Sequence, residues 1–370
     1  MGESLIVQVV NPKSGDETGS SFVSTHVSPL LAKHGINIDV NILSKAPGDA
    51  GDQLSRLLES HVEVDSVTLI VAGGDGTLHE IVNSVVSNRE KYDRFIEIKL
   101  VIIPTGTANA LYASMCSPDI SSHETIEGKL CSVKALLDTQ SSTPRVKTHL
   151  TIAQTCIYPP SALRSNPATT IYSIVVASTA LHASILHDSE ALREEYPDLR
   201  RFKIAAEKNI TRWYPGQVTL KAPPGGVISI YDQPTTQFTP FINHDNVSSD
   251  VTLPGPFVYF LSTVNVDRLE PSFVISPLQT KIRPIEDTMD IVIIRPKRDP
   301  TIVQDTNSED DRRRFAEKTM HALHAAYKDG AHIDLGYLED GSLHDYYTKD
   351  CVRGVIEYLR CGGWEWKVVR

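Results

Sequence analysis

The sequence predicts two domains: an α/β domain with a parallel sheet, followed by a mainly antiparallel β-sandwich domain. Three observations predict this. Short apolar strands alternate with helical patterns over residues 5–137, as in parallel sheets covered by helices. Three of these strands end in polar turns that contain glycine. Further along the chain, β-like runs are separated by Pro- and Gly-rich loops, which favours an antiparallel sandwich.

Length and composition agree with a two-domain globular protein. The chain has 370 residues, 41% of them hydrophobic and 22% charged, which is ordinary for globular domains. The polar stretch 138–145 is a natural break. We therefore expect a first domain over residues 1–140 and a second over residues 146–370.

The net charge and the cysteines indicate which binding partners and which cellular compartment to expect. A net charge of −10 argues against nucleic-acid binding and against a constitutive polybasic membrane anchor. Five scattered cysteines without zinc spacing predict reduced thiols in a cytoplasmic protein. The chain begins on a strand rather than an apolar signal core, and the most apolar stretch, residues 171–186, is too short to span a bilayer. Nothing in the sequence indicates an oligomeric state.

The first half of the α/β domain begins with a β-branched strand over residues 5–10, which ends in the turn Asn-Pro-Lys-Ser-Gly at 11–15. Helical spacing of apolar residues over 22–31 follows, then a strand over 37–43 and a helix around Leu54–Leu58. This order predicts strand, helix, strand, helix.

The second half repeats the pattern twice. A strand over residues 66–72 ends in Gly-Gly-Asp-Gly-Thr at 73–77, and helical spacing starts at Leu78. A strand over 99–103 ends in Pro-Thr-Gly-Thr-Ala-Asn at 104–109, again before a helix. Residues 126–137 read as a closing helix.

The second domain contains β-like runs separated by loops, with a helical block at about 190–209 and another at about 312–327. The runs are residues 147–157, 170–178, 217–220, 227–231, 257–264 and 289–294. Residues 232–256 and 296–312 are expected to be long loops.

The three glycine-containing turns point to one nucleotide crevice. Loops at the carboxyl ends of parallel strands are where open α/β sheets bind ligands, and a helix N-terminus after such a turn suits phosphate. Asp75 is an acid where a phosphate would sit, so a general base or a ligand of metal-bound water explains it better than an anion contact. The alternative is that Gly-Asp-Gly is only a turn and Asp75 only a helix cap.

The order and spacing of the motifs at 11–15, 73–77 and 104–109 resemble the diacylglycerol kinase catalytic-domain family, which includes sphingosine and ceramide kinases. The resemblance is strong over about the first 115 residues. It continues more weakly at Asp188-Ser189-Glu190, which is similar to a Glu-Ser-Glu stretch of the sphingosine and ceramide kinases.

The resemblance implies a fold like that of NAD kinases and diacylglycerol kinases, and the activity of a lipid kinase. Such an enzyme uses ATP and Mg²⁺ and transfers the γ-phosphoryl group to a lipid hydroxyl, on a sphingoid base, a ceramide or a diacylglycerol. It implies that Asp75 is the catalytic base. It also implies a cytoplasmic enzyme that meets its lipid at a membrane surface, by peripheral association.

The resemblance further implies a set of nucleotide-binding residues in the three turns and the helix after the second. Asn11 and Asn109 could instead orient the loops without binding nucleotide. Glu80 could instead be a solvated residue on the helix surface. His79 is read as surface or support. The set comprises Asn11, Ser14, Gly15, Gly73, Gly74, Gly76, Thr77, Glu80, Gly106, Thr107 and Asn109.

In the second domain the resemblance implies that Arg193 and Arg201 meet the triphosphate, and the alternative for each is a helix-surface charge. Arginine suits the task because its planar fork binds phosphate oxygens in pairs. Ser184 stands where sphingosine kinases carry an aspartate that meets the lipid head. A serine cannot pair with an ammonium, which disfavours a free sphingoid base as substrate.

Two departures from the family pattern leave other functions open. The first turn contains Asp16 and Glu17, and the family's late Asp-Gly-Glu motif is not matched at Asp329-Gly330 or Asp340-Gly341. The chain ends near where that motif is expected, and two interpretations stay open: a truncated gene model, or a protein that lacks this nucleotide contact. The unmatched late motif and Ser184 motivate one alternative, a non-catalytic lipid- or nucleotide-binding relative. An NAD kinase or sugar-phosphate kinase shares the Gly-Gly-Asp-Gly turn but fits the remaining motifs less well.

Overall fold

The computed structural model describes residues 3–116, 125–138, 149–159, 167–241, 250–285, 287–302 and 308–369. The chain forms two compact units, Met1–Val175 and Val176–Arg370. Residues 139–145 of the expected break lie outside the described residues, so the division into 1–140 and 146–370 stays a prediction. Among the described residues, no helix has both the length and the apolar character needed to cross a membrane.

The first unit contains a sheet of four parallel strands in the order β2-β1-β3-β4. Strand order reverses at β1, so the loops after β1 and β3 are neighbours at the switch point, where such sheets bind ligands. In chain order, the elements are β1 (Glu3–Val10), α1 (Gly19–Phe22), α2 (Ser28–Lys33), β2 (Val40–Leu43), α3 (Asp49–Ser60), β3 (Val64–Gly73), α4 (Asp75–Ser87), β4 (Glu97–Pro104), α5 (Ala110–Cys116), α6 (Ile126–Lys129), α7 (Cys131–Asp138), β5 (Ala153–Ile157) and β6 (Thr169–Ser173).

Both faces of the parallel sheet are buried. Ile70 and Ile103 contribute to a core that also contains Leu31 of α2 and Val133 of α7. The side chain of Leu69, which precedes Ile70 and therefore points to the opposite face of the sheet, is fully buried as well. Burial on both faces is what makes parallel strands read as continuous apolar runs, and the predicted α/β class is confirmed.

Two predicted helices are interrupted. Between α1 and α2 the chain forms a π-helical turn, Val23–Val27, and Pro29 occupies the first turn of α2. Proline lacks the N–H that a continuous helix would need at this position. The expected closing helix is divided at Leu130 into α6 and α7.

The hairpin β5–β6 is antiparallel and is bonded to α4 through one side chain. Asn83 donates from Nδ2 to the carbonyl oxygen of Tyr172 (2.7 Å), and its Oδ1 accepts from the Tyr172 N–H (2.8 Å). The amide group thus bonds to β6 as a neighbouring strand would.

The second unit is mainly antiparallel, as predicted. It contains a six-stranded sheet in the order β10-β9-β17-β13-β12-β7, and three-stranded sheets β11-β8-β18 and β15-β14-β16. In chain order, the elements are β7 (Val176–Thr179), α8 (Ala180–Ala191), α9 (Arg200–Asn209), β8 (Gln217–Lys221), β9 (Ser229–Asp232), β10 (Gln237–Pro240), β11 (Val251–Pro254), β12 (Tyr259–Thr263), α10 (Leu278–Lys281), β13 (Met289–Ile294), α11 (Glu309–Ala326), β14 (Gly336–Tyr337), β15 (Leu343–His344), β16 (Arg353–Gly354), β17 (Glu357–Cys361) and β18 (Gly363–Lys367).

The six-stranded sheet separates two hydrophobic cores. Phe260 and Ile293 face a core shared with Val218 of the β11-β8-β18 sheet, so these two sheets form the predicted sandwich. Tyr259 and Ile294 belong to a different core, which includes residues of α8 and α11. Alternation along each strand sends successive side chains to opposite cores.

Two sequence-based boundaries in this region are wrong. The run 170–178, read as one strand, is β6 and β7, which lie in different sheets. The helical block expected from residue 190 is two helices, the first starting at Ala180, whose φ of 56° marks the junction with β7. The helical start was missed because the apolar residues before Leu186 fit strand and helix periodicity equally.

A buried ion pair ties the six-stranded sheet together. Asp290, fully buried, accepts from Arg360 Nε (2.6 Å) and from the Tyr358 hydroxyl (2.6 Å). The Arg360 guanidinium also donates to the Ile282 carbonyl (2.9 Å) and lies 4.3 Å from the centre of the Phe238 ring. Burial raises the pKa of Asp290, and the hydrogen bond and charge of Arg360 oppose that rise.

We expect Arg360→Met to destabilise the protein by about 3–5 kcal/mol, because it leaves a buried carboxylate without its counter-charge. Urea unfolding of wild type and variant measures the loss. The matched control is Arg313→Ala, at an ion pair on α11 where the arginine side chain is 66% exposed; its effect should stay below about 1 kcal/mol. Equal effects of the two substitutions would contradict the structural role of Arg360.

Candidate functional site

Three loops of the first unit meet at the carboxyl end of the parallel sheet: residues 11–19 after β1 (the first loop), 73–77 after β3 (the second loop) and 104–109 after β4 (the third loop). A Cβ atom on Gly15 would lie 2.4 Å from the carbonyl oxygen of Thr105. A Cβ atom on Gly106 would lie 2.3 Å from Cα of Gly74. Contacts this close need glycine at both positions, so close packing of the loops accounts for these glycines.

The first and second loops are joined by a hydrogen bond between side chains. Asn11 donates from Nδ2 to the Thr77 hydroxyl (2.9 Å), and the Asn11 N–H donates to the Ala72 carbonyl (2.9 Å). Ser14 and Thr77 are both buried. These bonds favour the alternative in which Asn11 fixes the turn, and they occupy the Thr77 hydroxyl as an acceptor.

The third loop is closed by Asn109. Its Oδ1 accepts from the Gly106 N–H (2.9 Å), and its Nδ2 donates to the Gly106 carbonyl (2.8 Å). Asn109 has a φ of 55°, a left-handed conformation that asparagine tolerates better than most residues. The pairing favours a loop-orienting role for Asn109, and it engages the backbone amide of Gly106, one of the expected nucleotide-binding residues.

Asp75 is the first residue of α4, and its carboxylate binds the start of a different helix. Oδ2 accepts from the Ala110 N–H (2.8 Å) and Oδ1 from the Leu111 N–H (3.0 Å). These amides open α5, so Asp75 caps a neighbouring helix and joins the second loop to the helix that follows the third loop. The cap alternative is therefore correct in part, although the helix that is capped is α5 and not α4.

Burial raises the pKa of Asp75, and the hydrogen bonds from Leu111 and Ala110 oppose that rise. A raised pKa brings a carboxylate closer to the range in which it accepts protons efficiently. Each oxygen has a second lone-pair direction beyond its bond to a backbone amide. The cap therefore leaves Asp75 chemically able to act as a base.

Beside the second loop there is open space for a ligand and a polar side chain that could bind it. A Cβ atom on Gly76, in the first turn of α4, would meet nothing within 4 Å. Glu80, one turn further along, has a buried Oε2 without a hydrogen-bond partner among the described residues. Buried polar oxygens are normally satisfied, which favours a ligand-facing role for Glu80 over a solvated surface position. Gly73 is buried and Thr107 is half-buried.

Two of the acidic residues at which the sequence departs from the family pattern form hydrogen bonds within their own turns. Asp16 Oδ1 accepts from the Thr18 N–H (3.2 Å) and the Thr18 hydroxyl (2.6 Å), and the hydroxyl bond lowers the pKa of Asp16. Asp340 Oδ1 accepts from the Ser342 N–H (2.9 Å) and hydroxyl (2.6 Å). Asp329 and Gly330 both have positive φ. Each Asp-Gly pair is thus part of a turn, and Asp16 closes its own loop.

In the second unit, Arg193 and Arg201 differ in environment. Arg193 is half-exposed and pairs with Glu190 (2.8 Å). Arg201 is buried, donates from Nη1 to the Pro197 carbonyl (2.5 Å), and carries an Nε that finds no acceptor in the described part of the chain. Burial lowers the pKa of Arg201, and the positive charge of Arg193 lowers it further. Two nearby guanidiniums, one with an unused donor, would favour a bound anion.

Ser184 lies on α8 and forms a pair of neutral hydroxyls with Tyr214, which donates to Ser184 Oγ (2.8 Å). Asp188 bonds α8 to α9 through Asn209 Nδ2 (2.9 Å) and Lys208 (3.1 Å). Tyr214 was not identified from the sequence, because nothing in the spacing of residues 184 and 214 indicates contact.

The described residues contain no group of three or more His, Cys, Asp or Glu side chains placed to hold a metal ion. Mg²⁺ in phosphoryl-transfer sites is usually held by one or two carboxylates together with substrate phosphates and waters.

Comparison with known families confirms the resemblance for the first unit. Residues 6–141 match the family model described as the diacylglycerol kinase catalytic domain. This stretch contains all three loops, α4 and Asp75. The match therefore covers the candidate nucleotide-binding residues of the first unit and leaves Ser184, Arg193 and Arg201 outside it.

Individual relatives are kinases of two lipid classes. Over 110 residues the chain is 28% identical to human sphingosine kinase 1, covering 30% of this chain and 27% of that one. Over 219 residues it is 25% identical to sphingoid long chain base kinase 5 of Saccharomyces cerevisiae, covering 58% and 28%. Over 101 residues it is 35% identical to diacylglycerol kinase of Staphylococcus carnosus, covering 27% and 29%. The chain thus spans less than a third of the length of each relative.

A crystal structure of a diacylglycerol kinase from Bacillus anthracis aligns with 96% of this chain and 93% of that one, at 15% identity and a TM-score of 0.44. At that score, the sheet order and the directions of the strands remain the basis for the fold class.

Proposed function

We propose that this protein is an ATP-dependent lipid kinase, which transfers the γ-phosphoryl group of ATP to a hydroxyl group of a lipid. The observation that carries the proposal is the placement of Asp75. Its carboxylate joins the second loop to α5, the helix that follows the third loop, and it lies at the N-terminus of α4. The family match over residues 6–141 supports the same reaction class.

In this proposal Asp75 accepts the proton that the lipid hydroxyl loses as it attacks phosphorus. Phosphoryl transfer depends mainly on positioning and charge stabilisation, so a fixed base is the main chemical group that the protein must add. The two backbone amides of α5 hold the Asp75 carboxylate in one orientation, and each of its oxygens keeps a second lone pair that can take the proton.

The nucleotide phosphates would lie beside the second loop at the first turn of α4. Open space at Gly76 and the positive end of the helix dipole suit them there. Gly73, Gly74, Thr77, Thr107 and Glu80 would border the nucleotide. The remaining loop residues, which are Asn11, Ser14, Gly15, Gly106 and Asn109, would act chiefly by holding the loops in contact.

Mg²⁺ would arrive with the triphosphate and neutralise its charge. Glu80, with its unsatisfied carboxylate oxygen, is the side chain of the first unit best suited to meet the hydrated ion. Arg193 and Arg201 are proposed to bind phosphate oxygens; their resemblance to family positions and the unused donor on Arg201 support this role.

We expect Arg193→Ala to weaken ATP binding about tenfold, the scale of one lost charge-assisted hydrogen bond, with a smaller effect on kcat. Calorimetric titration with ATP measures it. Arg200→Ala is the matched control, because Arg200 is 67% exposed and pairs with Asp198 (2.9 Å); its affinity should stay within about twofold. If Arg193→Ala changed only the affinity for lipid, Arg193 would not be a phosphate ligand.

The substrate proposed is a lipid alcohol met at a membrane surface from the cytoplasm, with Ser184 at its polar head. The neutral pair of Ser184 and Tyr214 supplies hydroxyl groups and no negative charge. It supports a ceramide-like or acylglycerol head more than a free sphingoid base. Incubation with labelled ATP and micelles of sphingosine, ceramide or diacylglycerol tests this choice directly.

The second candidate function is non-catalytic binding of lipid or nucleotide. The capping bonds of Asp75 favour it, because they give this acid a structural use. Measurable ATP binding without phosphate transfer to any lipid would support this candidate. Phosphorylation of NAD with no transfer to lipid micelles would instead indicate an NAD kinase.

A further inference from the structure

The last turn of α5 and the first turn of α7 bring two cysteines together. Cys131 opens α7, and its thiol donates to the carbonyl oxygen of Cys116, the last residue of α5, at 2.8 Å. Both side chains are half-buried and both are free thiols. Neither residue has a part in the proposed kinase site.

The surrounding contacts fix this approach. The Tyr112 hydroxyl, one turn before Cys116, donates to the Gly128 carbonyl of α6. Ser132, next to Cys131, accepts from the Ile102 N–H of β4 (3.0 Å). Burial, and after it the neighbouring Cys131 thiol, raise the pKa of the Cys116 thiol to about 12. Hydrogen bonds of neighbouring residues therefore hold both segments that carry the two thiols.

We propose that Cys116 and Cys131 form a reversible disulfide when the protein meets hydrogen peroxide. A disulfide needs its two sulfurs to reach each other without moving the backbone, and the Cys131 thiol lies within hydrogen-bond reach of both the Cys116 carbonyl oxygen and the Cys116 thiol. Cys131 is the residue that reacts with peroxide first, because the thiolate is the attacking form and burial raises the pKa of the other thiol, Cys116, to about 12.

The chemistry proceeds in two balanced steps. The Cys131 thiolate attacks one peroxide oxygen, the O–O bond breaks, and the departing hydroxide takes up a proton to leave as water, which gives Cys131 sulfenic acid. The Cys116 sulfur then attacks the sulfenic sulfur, the S–O bond breaks, and the hydroxide that leaves takes the Cys116 proton as a second water. Two thiols are oxidised by two electrons, and one peroxide is reduced.

The bond would tie the C-terminal end of α5 to α7. The opposite end of α5 carries the Ala110 and Leu111 amides that bind Asp75, and the helix has seven residues, a length of about 10 Å. The disulfide would thus fix the helix that orients the Asp75 carboxylate.

Peptide mapping under non-reducing conditions tests the proposal. Peroxide-treated wild type should lose the mass of two hydrogen atoms and yield one fragment in which Cys116 is linked to Cys131. Dithiothreitol should restore the original protein mass and release the two separate peptides. Cys116→Ser and Cys131→Ser should each lack the link, whereas the control Cys156→Ser should retain it. Added oxygen on Cys131 without a link in folded wild type would overturn the proposal.

Thermal denaturation gives a second readout that does not depend on the variants. A disulfide between Cys116 and Cys131 should raise the melting temperature of the oxidised wild type by about 3–6 °C above that of the reduced protein. Dithiothreitol should reverse the change. A melting temperature equal to or below that of the reduced protein would show that the bond does not fit the native structure. Neither measurement uses ATP or lipid, so each stands apart from the proposed kinase activity.

Discussion

Asp75→Asn should lower turnover by about a hundredfold or more, because an amide cannot accept the proton that a general base takes up. ATP affinity should stay within about threefold, the limit we set for a side chain that does not bind phosphate. Initial rates with ATP and a lipid micelle measure turnover, and calorimetric titration measures affinity. Turnover equal to wild type would remove Asp75 from proton transfer.

The structural role of Asp75 calls for a control on stability. Asparagine keeps one acceptor oxygen and loses one of the two bonds to the α5 amides, which should cost about 0.5–2 kcal/mol. Rates are therefore compared well below the melting temperature of the variant. His79→Ala is the matched variant on α4, since His79 is exposed; its turnover should stay within about twofold of wild type.

The pH profile of the wild-type enzyme examines the same residue without substitution. A base works only when it is deprotonated, and burial raises the pKa of Asp75 above the ordinary 3.8. As pH falls, activity should therefore be lost at a higher pH than an exposed aspartate would dictate. An acid limb of kcat/KM at or below the ordinary value would contradict this.

Gly106→Ala should disrupt the loop cluster. Its new methyl carbon would lie 2.3 Å from Gly74 Cα and 2.8 Å from Asn109 Oδ1, so the second and third loops must separate. We expect a loss of about 1–3 kcal/mol in unfolding free energy, with ATP affinity reduced at least about tenfold as the binding loops part. Urea unfolding and ATP titration measure the two effects.

Gly76→Ala separates packing from ligand contact. Its methyl group would enter open space, and alanine is a better helix former than glycine by up to about 1 kcal/mol. Stability should hold or rise, whereas ATP affinity should fall if phosphate occupies that space. An unchanged ATP affinity would place the phosphates elsewhere, and equal stability losses in both variants would contradict the packing seen at Gly106.

The sequence was sufficient to predict the parallel sheet and the meeting of the three loops. Both follow from strand ends that share one sheet edge, as the runs before Asn11, Gly73 and Thr105 show. The partners of the loop residues could not be predicted. The bonds of Asp75 to two amides of α5 depend on how the second and third loops pack, and backbone amides carry no sequence signal.

In the second unit, strand order was beyond reach of periodicity. β17 inserts between β9 and β13 although it comes last of the three in the chain, and such long-range pairing has no local pattern. The short strands β14, β15 and β16 have two residues each, too few to show alternation. The hydrogen bond between Ser184 and Tyr214 was also missed, because it joins residues far apart in the chain and has no local sequence pattern.

The six-stranded sheet acts as a partition within the second unit, because neighbouring residues of β12 and β13 serve opposite cores. Substitutions on its two sides should then behave independently, with free-energy effects that add. The core between this sheet and the helices could therefore change by single substitutions, while the core of the β-sandwich on the other side keeps its own contribution to the free energy of unfolding.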